Sequence, residues 1–380
     1  MKLWANSGDS HYNEPPDLYD ALPKDLRERM PRSVKSEDGS YETIYVDGTS
    51  FERPMPRIGI VKGTKGRTLM EALQAPGARD WKIRRQDLDD EGIWGEVIYA
   101  SVGFWNSMIK DPKLIAEATK VVNEWSADVQ RQSIRHVMPA QVSALDIEDA
   151  VAEVQRAAGL GLKALGLPPG APKGVPGFNR HDWDPLWDAA EEAGMVLTVH
   201  TGPPVGEDPV HHHGPGAGTM NYLYACYGGM DMAAMMAASG ILDKRPGLKL
   251  LISEAGASWL PFIADRLDEA FRQHSEFVRD ELTRMPGEIV REQVYASFQH
   301  DPTAVLTVAA MGFPNVMWGS DYPHIEGTFG HTQKTLHELF DDQTPEVSYR
   351  VRQGAFLELF PHVGPPPHED APIEAPAATS

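Results

Sequence analysis

Short apolar runs alternate with longer amphipathic stretches along most of the chain. The runs at 93–99, 134–140, 161–167, 195–199, 248–253, 294–298 and 316–318 read as strands. Between them, helical patterning covers 112–125, 147–158, 184–194, 231–239, 258–271 and 303–311, and two further helices follow at 332–340 and 345–360. Pro185 fits a first helical turn and Asp231 a helix cap. An earlier strand within 2–11 brings the count to eight. Continuous apolar runs, rather than strict alternation, indicate strands covered on both faces, as in a parallel sheet. Eight strand–helix units predict a closed (β/α)8 TIM barrel spanning 1–363. An open doubly wound sheet is the competing arrangement, but no G-x-G-x-x-G follows the first strand. Residues 33–85 are rich in Gly, Pro, Arg and Lys with little sustained period. They read as a long loop excursion after the first strand, and Arg53, Arg57, Arg67 and Arg79 there are cations available to an anionic substrate. Residues 364–380, rich in Pro and Ala, read as a disordered tail.

Composition narrows the function. Of 380 residues, 41% are hydrophobic, enough for one large core. The formal net charge is -20 and no basic block is present. This argues against nucleic acid and anionic membrane surfaces as partners and leaves a small-molecule substrate. No apolar run approaches the roughly 20 residues needed to span a bilayer. The first residues lack the apolar core of a signal peptide, and Cys226 is the only cysteine, so a cytoplasmic location is expected.

The predicted strand ends carry the chemistry. Asp9 and His11, two apart, leave an extended chain on one face. His200 ends the fifth strand, Glu254 the sixth, and Asp321 and His324 follow the eighth. Singly, each has a plain structural account: a core histidine, a helix cap, a turn. In a barrel these ends ring one mouth, and imidazole with carboxylate is a ligand set for divalent zinc, manganese or iron. His211, His212, His213 and His300 are further candidates for the pocket. Trp94, Phe104 and Trp105 are candidates for an apolar wall.

The chain resembles the amidohydrolase-related family, in the branch with aminocarboxymuconate semialdehyde decarboxylase and the aromatic-acid decarboxylases. The resemblance runs from about Asp9 to Phe360. It rests on Asp9-Ser10-His11 with Glu14-Pro15-Pro16-Asp17-Leu18, Thr198-Val199-His200-Thr201-Gly202, Glu254-Ala255-Gly256 with Trp259-Leu260-Pro261, and Gly319-Ser320-Asp321-Tyr322-Pro323-His324. It implies a barrel with one divalent metal held by Asp9, His11, His200 and Asp321, and members are often dimers, which extends to a homodimer here. The better-known decarboxylases carry a proton-transferring His where this chain has Glu254. Glu254 can relay protons if burial raises its pKa, or bind a second metal with His324.

Two enzymatic readings follow. In the first, the metal assists hydrolysis or non-oxidative decarboxylation of a small organic, perhaps cyclic, acid, ester or amide. Asp321 and Glu254 then move protons, with His324 beside them. In the second, Asp9, His11, His200, Glu254, Asp321 and His324 hold two iron ions and activate dioxygen to hydroxylate a small hydrophobic or carboxylic substrate. A non-catalytic barrel would require a ligand missing from the set.

Overall fold

The computed structural model describes residues 2–37, 40–54, 75–202, 211–274, 276 and 281–366. The tail beyond Pro366, and Arg57 and Arg67, lie outside the described residues.

Eight parallel strand positions succeed one another around a barrel. Strand 1 is Ala5–Ser7, continuing at His11–Tyr12; strand 2 is Ile93–Val97 and Tyr99–Ala100; strand 3 is His136–Val137 and Pro139–Gln141. Strand 4 is Ala164–Gly166, strand 5 Val196–His200, strand 6 Leu250–Ser253, strand 7 Val294–Phe298 and strand 8 Val316–Trp318. Every neighbouring pair is parallel. Strands 8 and 1 meet through the Gly8 N–H, which donates to the Trp318 carbonyl at 2.9 Å, and through a parallel bridge between Ser10 and Tyr322. A Cβ on Gly8 would lie 2.7 Å from the Met317 sulfur, so this seam needs a residue without a side chain.

The period of two divides each strand between two layers. Val97, Tyr99, Val196, Leu251, Tyr295 and Met317 fill the barrel interior, together with Phe356 and Phe360. The helix Ala355–Leu359 thus contributes to the packing at the interior's lower end. Leu165, Leu197, Val199, Leu250, Ile252 and Trp318 face the surrounding helices, where Trp183 and Trp187 are buried. No helix among the described residues is long and apolar enough to cross a membrane.

Three elements depart from the sequence expectation. The excursion after strand 1 is not mere loop. Arg32–Lys35, Tyr41–Val46 and Thr49–Pro54 form an antiparallel meander. Val46 pairs with Thr49, so Asp47-Gly48, at φ 49° and 73°, is a two-residue hairpin turn. Its Asp-Gly signal was present in a segment whose Gly, Pro and basic content otherwise obscured it. The helix Trp81–Glu91 follows, with Asp80 accepting from the Lys82 and Ile83 N–H groups and Gly92 left-handed at its end.

Second, the helix expected at 231–239 runs over Ala217–Ala238. Met220, Tyr222, Leu223 and Tyr227 on its first half are exposed apolar side chains, so no polar stripe marks that half as helical. Third, the helix Pro286–Gln293 was not anticipated. Trp94, a candidate for the pocket wall, instead lies near the start of strand 2, Ile93–Val97, at the barrel's opposite end. There its indole N–H donates to the Gly364 carbonyl at 3.0 Å.

Candidate metal centre

The carboxyl ends of the strands converge as the period of two dictates. Asp9 and His11, two apart beyond the bend at Gly8, both turn into the mouth from the end of strand 1, and Thr198 and His200 share the inward face of strand 5. Glu254 falls on the outward beat after Ser253. Its left-handed backbone, φ 60°, breaks the alternation and lets its side chain enter the mouth. Asp321 is likewise left-handed at φ 51°. Such conformations cost a residue with a Cβ on the order of 1–3 kcal/mol and cluster at functional sites.

Asp9 and Asp321 are fully buried, His11 is 5% exposed and Glu254 7%. The Nε2 atoms of His11 and His200 stand 3.1 Å apart. His200 Nε2 is 3.6 Å from Asp9 Oδ1 and 3.3 Å from Glu254 Oε2. One ligand atom from each of Asp9, His11, His200 and Glu254 lies within 4.8 Å of all the others. Asp321 Oδ1 is 3.4 Å from His11 Nε2 and 2.8 Å from His324 Nδ1, the latter without hydrogen-bond alignment. Asp321 groups with His11 and His324, and also with Glu254 and Glu326. The tight four-residue group therefore contains Glu254 where the family resemblance implied Asp321.

Neighbours fix the ligands. His200 Nδ1 lies 2.9 Å from the Thr201 carbonyl. A carbonyl only accepts, so the proton sits on Nδ1 and the Nε2 lone pair faces the cluster. The Ser253 hydroxyl donates to the Gly8 carbonyl at 2.9 Å, so the Tyr99 hydroxyl, 2.7 Å away, donates to Ser253. The Arg84 guanidinium donates to the His11 carbonyl at 2.8 Å. His324 stacks on His11 with ring centroids 3.9 Å apart.

Electrostatically the site is unbalanced. Asp9 Oδ1 and both oxygens of Asp321 are buried without a hydrogen-bond partner. Burial, then Asp321, raises the Asp9 pKa well above the usual carboxylate range. Burial, with Asp321 and Asp9, does the same to Glu254, and burial lifts Asp321 to about 6. Burial depresses His11 and takes His200 to about 4, so both imidazoles are neutral. Burial opposes charge on His324 too, but the Asp321 carboxylate outweighs it and holds His324 at about 9. Neutral imidazoles facing unpartnered carboxylate oxygens are a donor set for a divalent cation.

The cluster opens into a cavity of about 660 Å³ floored by His11, His200, Glu254, His324 and Glu326. Arg79 and Tyr222 stand in its wall, and Arg32 and Lys35 of the meander face it. Of the other sequence candidates, Trp105 lines this cavity. His211 stacks on Tyr224 and His300 on His331, and His211, His212, His213 and His300 are absent from the cavity lining. Nothing is described of the Arg53 and Phe104 side chains. Glu326, in the cavity floor and in a ligand group, was not anticipated: it follows a turn beyond strand 8, where no strand-end pattern marks it.

A family model described as amidohydrolase matches residues 107–358. No curated protein sequence matches the chain. Solved structures do match in fold. An amidohydrolase from Mycobacterium avium subsp. paratuberculosis superposes with a TM-score of 0.75 at 19% identity, over 95% of this chain and 100% of that one. A 5-carboxyvanillate decarboxylase from Sphingomonas paucimobilis gives 0.69 at 18% identity, over 94% and 99%. A dihydroxybenzoic acid decarboxylase from a Polaromonas species, with bound manganese and the inhibitor 2-nitroresorcinol, gives 0.62 at 15%, over 94% and 97%.

Proposed function

The chain belongs to the amidohydrolase family, and from that premise we propose that it is a metal-dependent enzyme that decarboxylates a small cyclic or aromatic carboxylic acid without oxidation, hydrolysis being the second reading. The observation that carries the metal is the convergence of Asp9, His11, His200 and Glu254 within 4.8 Å, together with the unpartnered carboxylate oxygens of Asp9 and Asp321. A divalent cation held there supplies Lewis acidity that polarises a carboxylate or carbonyl.

The chain's own residues do the rest. Arg79, with Arg32 and Lys35 further out, gives an anionic substrate positive charge to approach. Loss of carbon dioxide breaks the bond from ring carbon to carboxylate and leaves the electron pair on the ring carbon. That carbon then needs a proton. His324 lines the cavity, and the nearby Asp321 carboxylate favours its charged form, which makes His324 the proton donor, to be reprotonated from solvent through the cavity. Two of the relatives described above are decarboxylases of hydroxylated benzoic acids, which favours this reaction over hydrolysis. The iron-and-dioxygen reading draws no support from them.

The test uses the full chain, stripped by chelator and reloaded with manganese, on a panel of hydroxylated aromatic and cyclic carboxylic acids. Release of carbon dioxide only from the reloaded protein is expected. Acid release from esters or amides without carbon dioxide would move the assignment to hydrolysis. Full activity after stringent metal removal would contradict the metal-dependent reading.

A further inference from the structure

We propose that a small apolar pocket over strands 2 to 5 receives a short alkyl substituent of the substrate, so that the acid this chain acts on is an alkyl-substituted one. The inference rests on the carboxylic-acid substrate proposed above and narrows its class. The pocket has a volume of about 90 Å³ and lies at the carboxyl ends of those strands. Ala100 and His200 line both it and the larger cavity. A molecule in the larger cavity can therefore place one substituent here.

Gly166 makes the space. Ala164 faces the barrel interior and Leu165 the surrounding helices, so the period of two turns Gly166 inward. Its register partners on strands 3 and 5 are Gln141 and Thr198, and both of these stand in the pocket wall. Gly166 is not among the left-handed residues. A Cβ there would lie 3.3 Å from the Ala140 carbonyl oxygen, 3.4 Å from Pro139 Cβ and 3.8 Å from Thr198 Oγ1. Those contacts are tight but need only a small adjustment. Neither backbone conformation nor a hard clash therefore demands glycine. What the missing side chain supplies is room, and a glycine inside a strand often marks the close approach of a ligand.

The walls are apolar and fixed. Ile115, Val142, Ala144 and Leu167 line the pocket and are themselves buried. Polar side chains in the wall are engaged elsewhere. The Asn106 amide donates to the Gln141 side-chain oxygen at 2.7 Å. The Thr119 hydroxyl donates to the Ala116 carbonyl at 3.0 Å, and the Thr198 hydroxyl to the Leu165 carbonyl at 3.4 Å. Such a wall holds water poorly and suits hydrocarbon. Size then limits the group. An apolar cavity of roughly 150 Å³ accommodates benzene. This pocket is smaller, so it takes about two or three carbons and excludes a second ring.

The experiment measures binding by calorimetry to the full chain supplied with manganese. The probes are 2-hydroxybenzoate and its derivatives with a methyl, ethyl, isopropyl or phenyl group at each open ring position. Burial gains about fourfold per carbon, so the best-placed ethyl derivative should bind about tenfold more tightly than the parent. The phenyl derivatives should gain nothing. Gly166→Ala should cut the ethyl-to-parent ratio by about threefold or more, and Ala144→Leu, which fills the pocket from the loop after strand 3, should abolish it. Melting temperatures matched to the unmodified chain check that each variant folds, and either folded variant suffices for the comparison. Carbon dioxide released in the same samples reports separately on the reaction. An ethyl preference that falls in the variants, without carbon dioxide release, supports the pocket and removes the decarboxylation reading. Carbon dioxide release with no alkyl preference overturns the pocket and leaves the reaction standing. A preference that the folded variants retain overturns the pocket as drawn, as does a phenyl derivative that binds as tightly as the ethyl one. Absence of binding by every probe also overturns it.

Discussion

Two groups of buried charge lie in this barrel within reach of the same histidine. Arg84 and Glu96 are each fully buried. The guanidinium donates twice to the carboxylate, Nε at 2.7 Å and the second nitrogen at 2.7 Å, and its remaining arm holds the His11 carbonyl. Burial pushes Glu96 upward, but Arg84 outweighs it and keeps Glu96 below the usual carboxylate range. On the other side of His11, the carboxyls of Asp9, Glu254 and Asp321 are all raised, and Asp9 Oδ1 and both oxygens of Asp321 lack partners. The first group contains its own counter-charge and fixes a strand. The second sets a single charged imidazole, His324, against three carboxyls and is short of positive charge. Burial alone therefore does not mark a functional site; buried charge without a partner does.

The contrast is broken most forcefully from the balanced side. Arg84→Met leaves Glu96 buried and unpaired and frees the His11 carbonyl. Denaturant unfolding should show a loss of about 3–5 kcal/mol. A loss below about 1 kcal/mol would place this pair among the weak surface type.

A smaller effect of opposite sign is expected at the mouth. Asp9 has a folded-state pKa above its unfolded value, so the native state binds the extra proton. Stability from this group is present at low pH and is lost as pH rises through the folded-state value. At pH 7 Asp9→Asn should therefore leave the metal-free protein as stable as the unmodified chain, or more stable by about 1–2 kcal/mol. The difference should shrink as pH is lowered. The same variant should lose tight manganese binding by calorimetry. Clear destabilisation of the metal-free variant would mean that the hydrogen bond from the Gln299 amide to Asp9 Oδ2, at 3.4 Å, outweighs the cost of burying the carboxyl.

The sequence disclosed the residues whose placement is local. His200 follows an apolar run, Asp9 and His11 sit two apart, and Asp321 ends the Gly-Ser-Asp turn, so barrel topology alone brings them to one rim. Residues set by longer-range packing were not visible. Arg84 and Glu96 pair across a helix and a strand. Glu326 reaches the mouth only because its loop folds back on Asp321. Glu254 was identified by type, but its place in the tight group depends on a left-handed backbone that no periodicity announces. The Asp47-Gly48 hairpin is a different case: the local signal existed, and the surrounding composition masked it.

The barrel mouth carries more buried negative than positive charge, which a bound metal would offset. Elemental analysis of freshly purified full-length protein, grown with zinc, manganese and iron supplied, tests this most directly. The account predicts at least one tightly held divalent ion per chain, released by chelator with a fall in melting temperature. Protein that carries no divalent ion, and whose melting temperature does not respond to added metal, would contradict it.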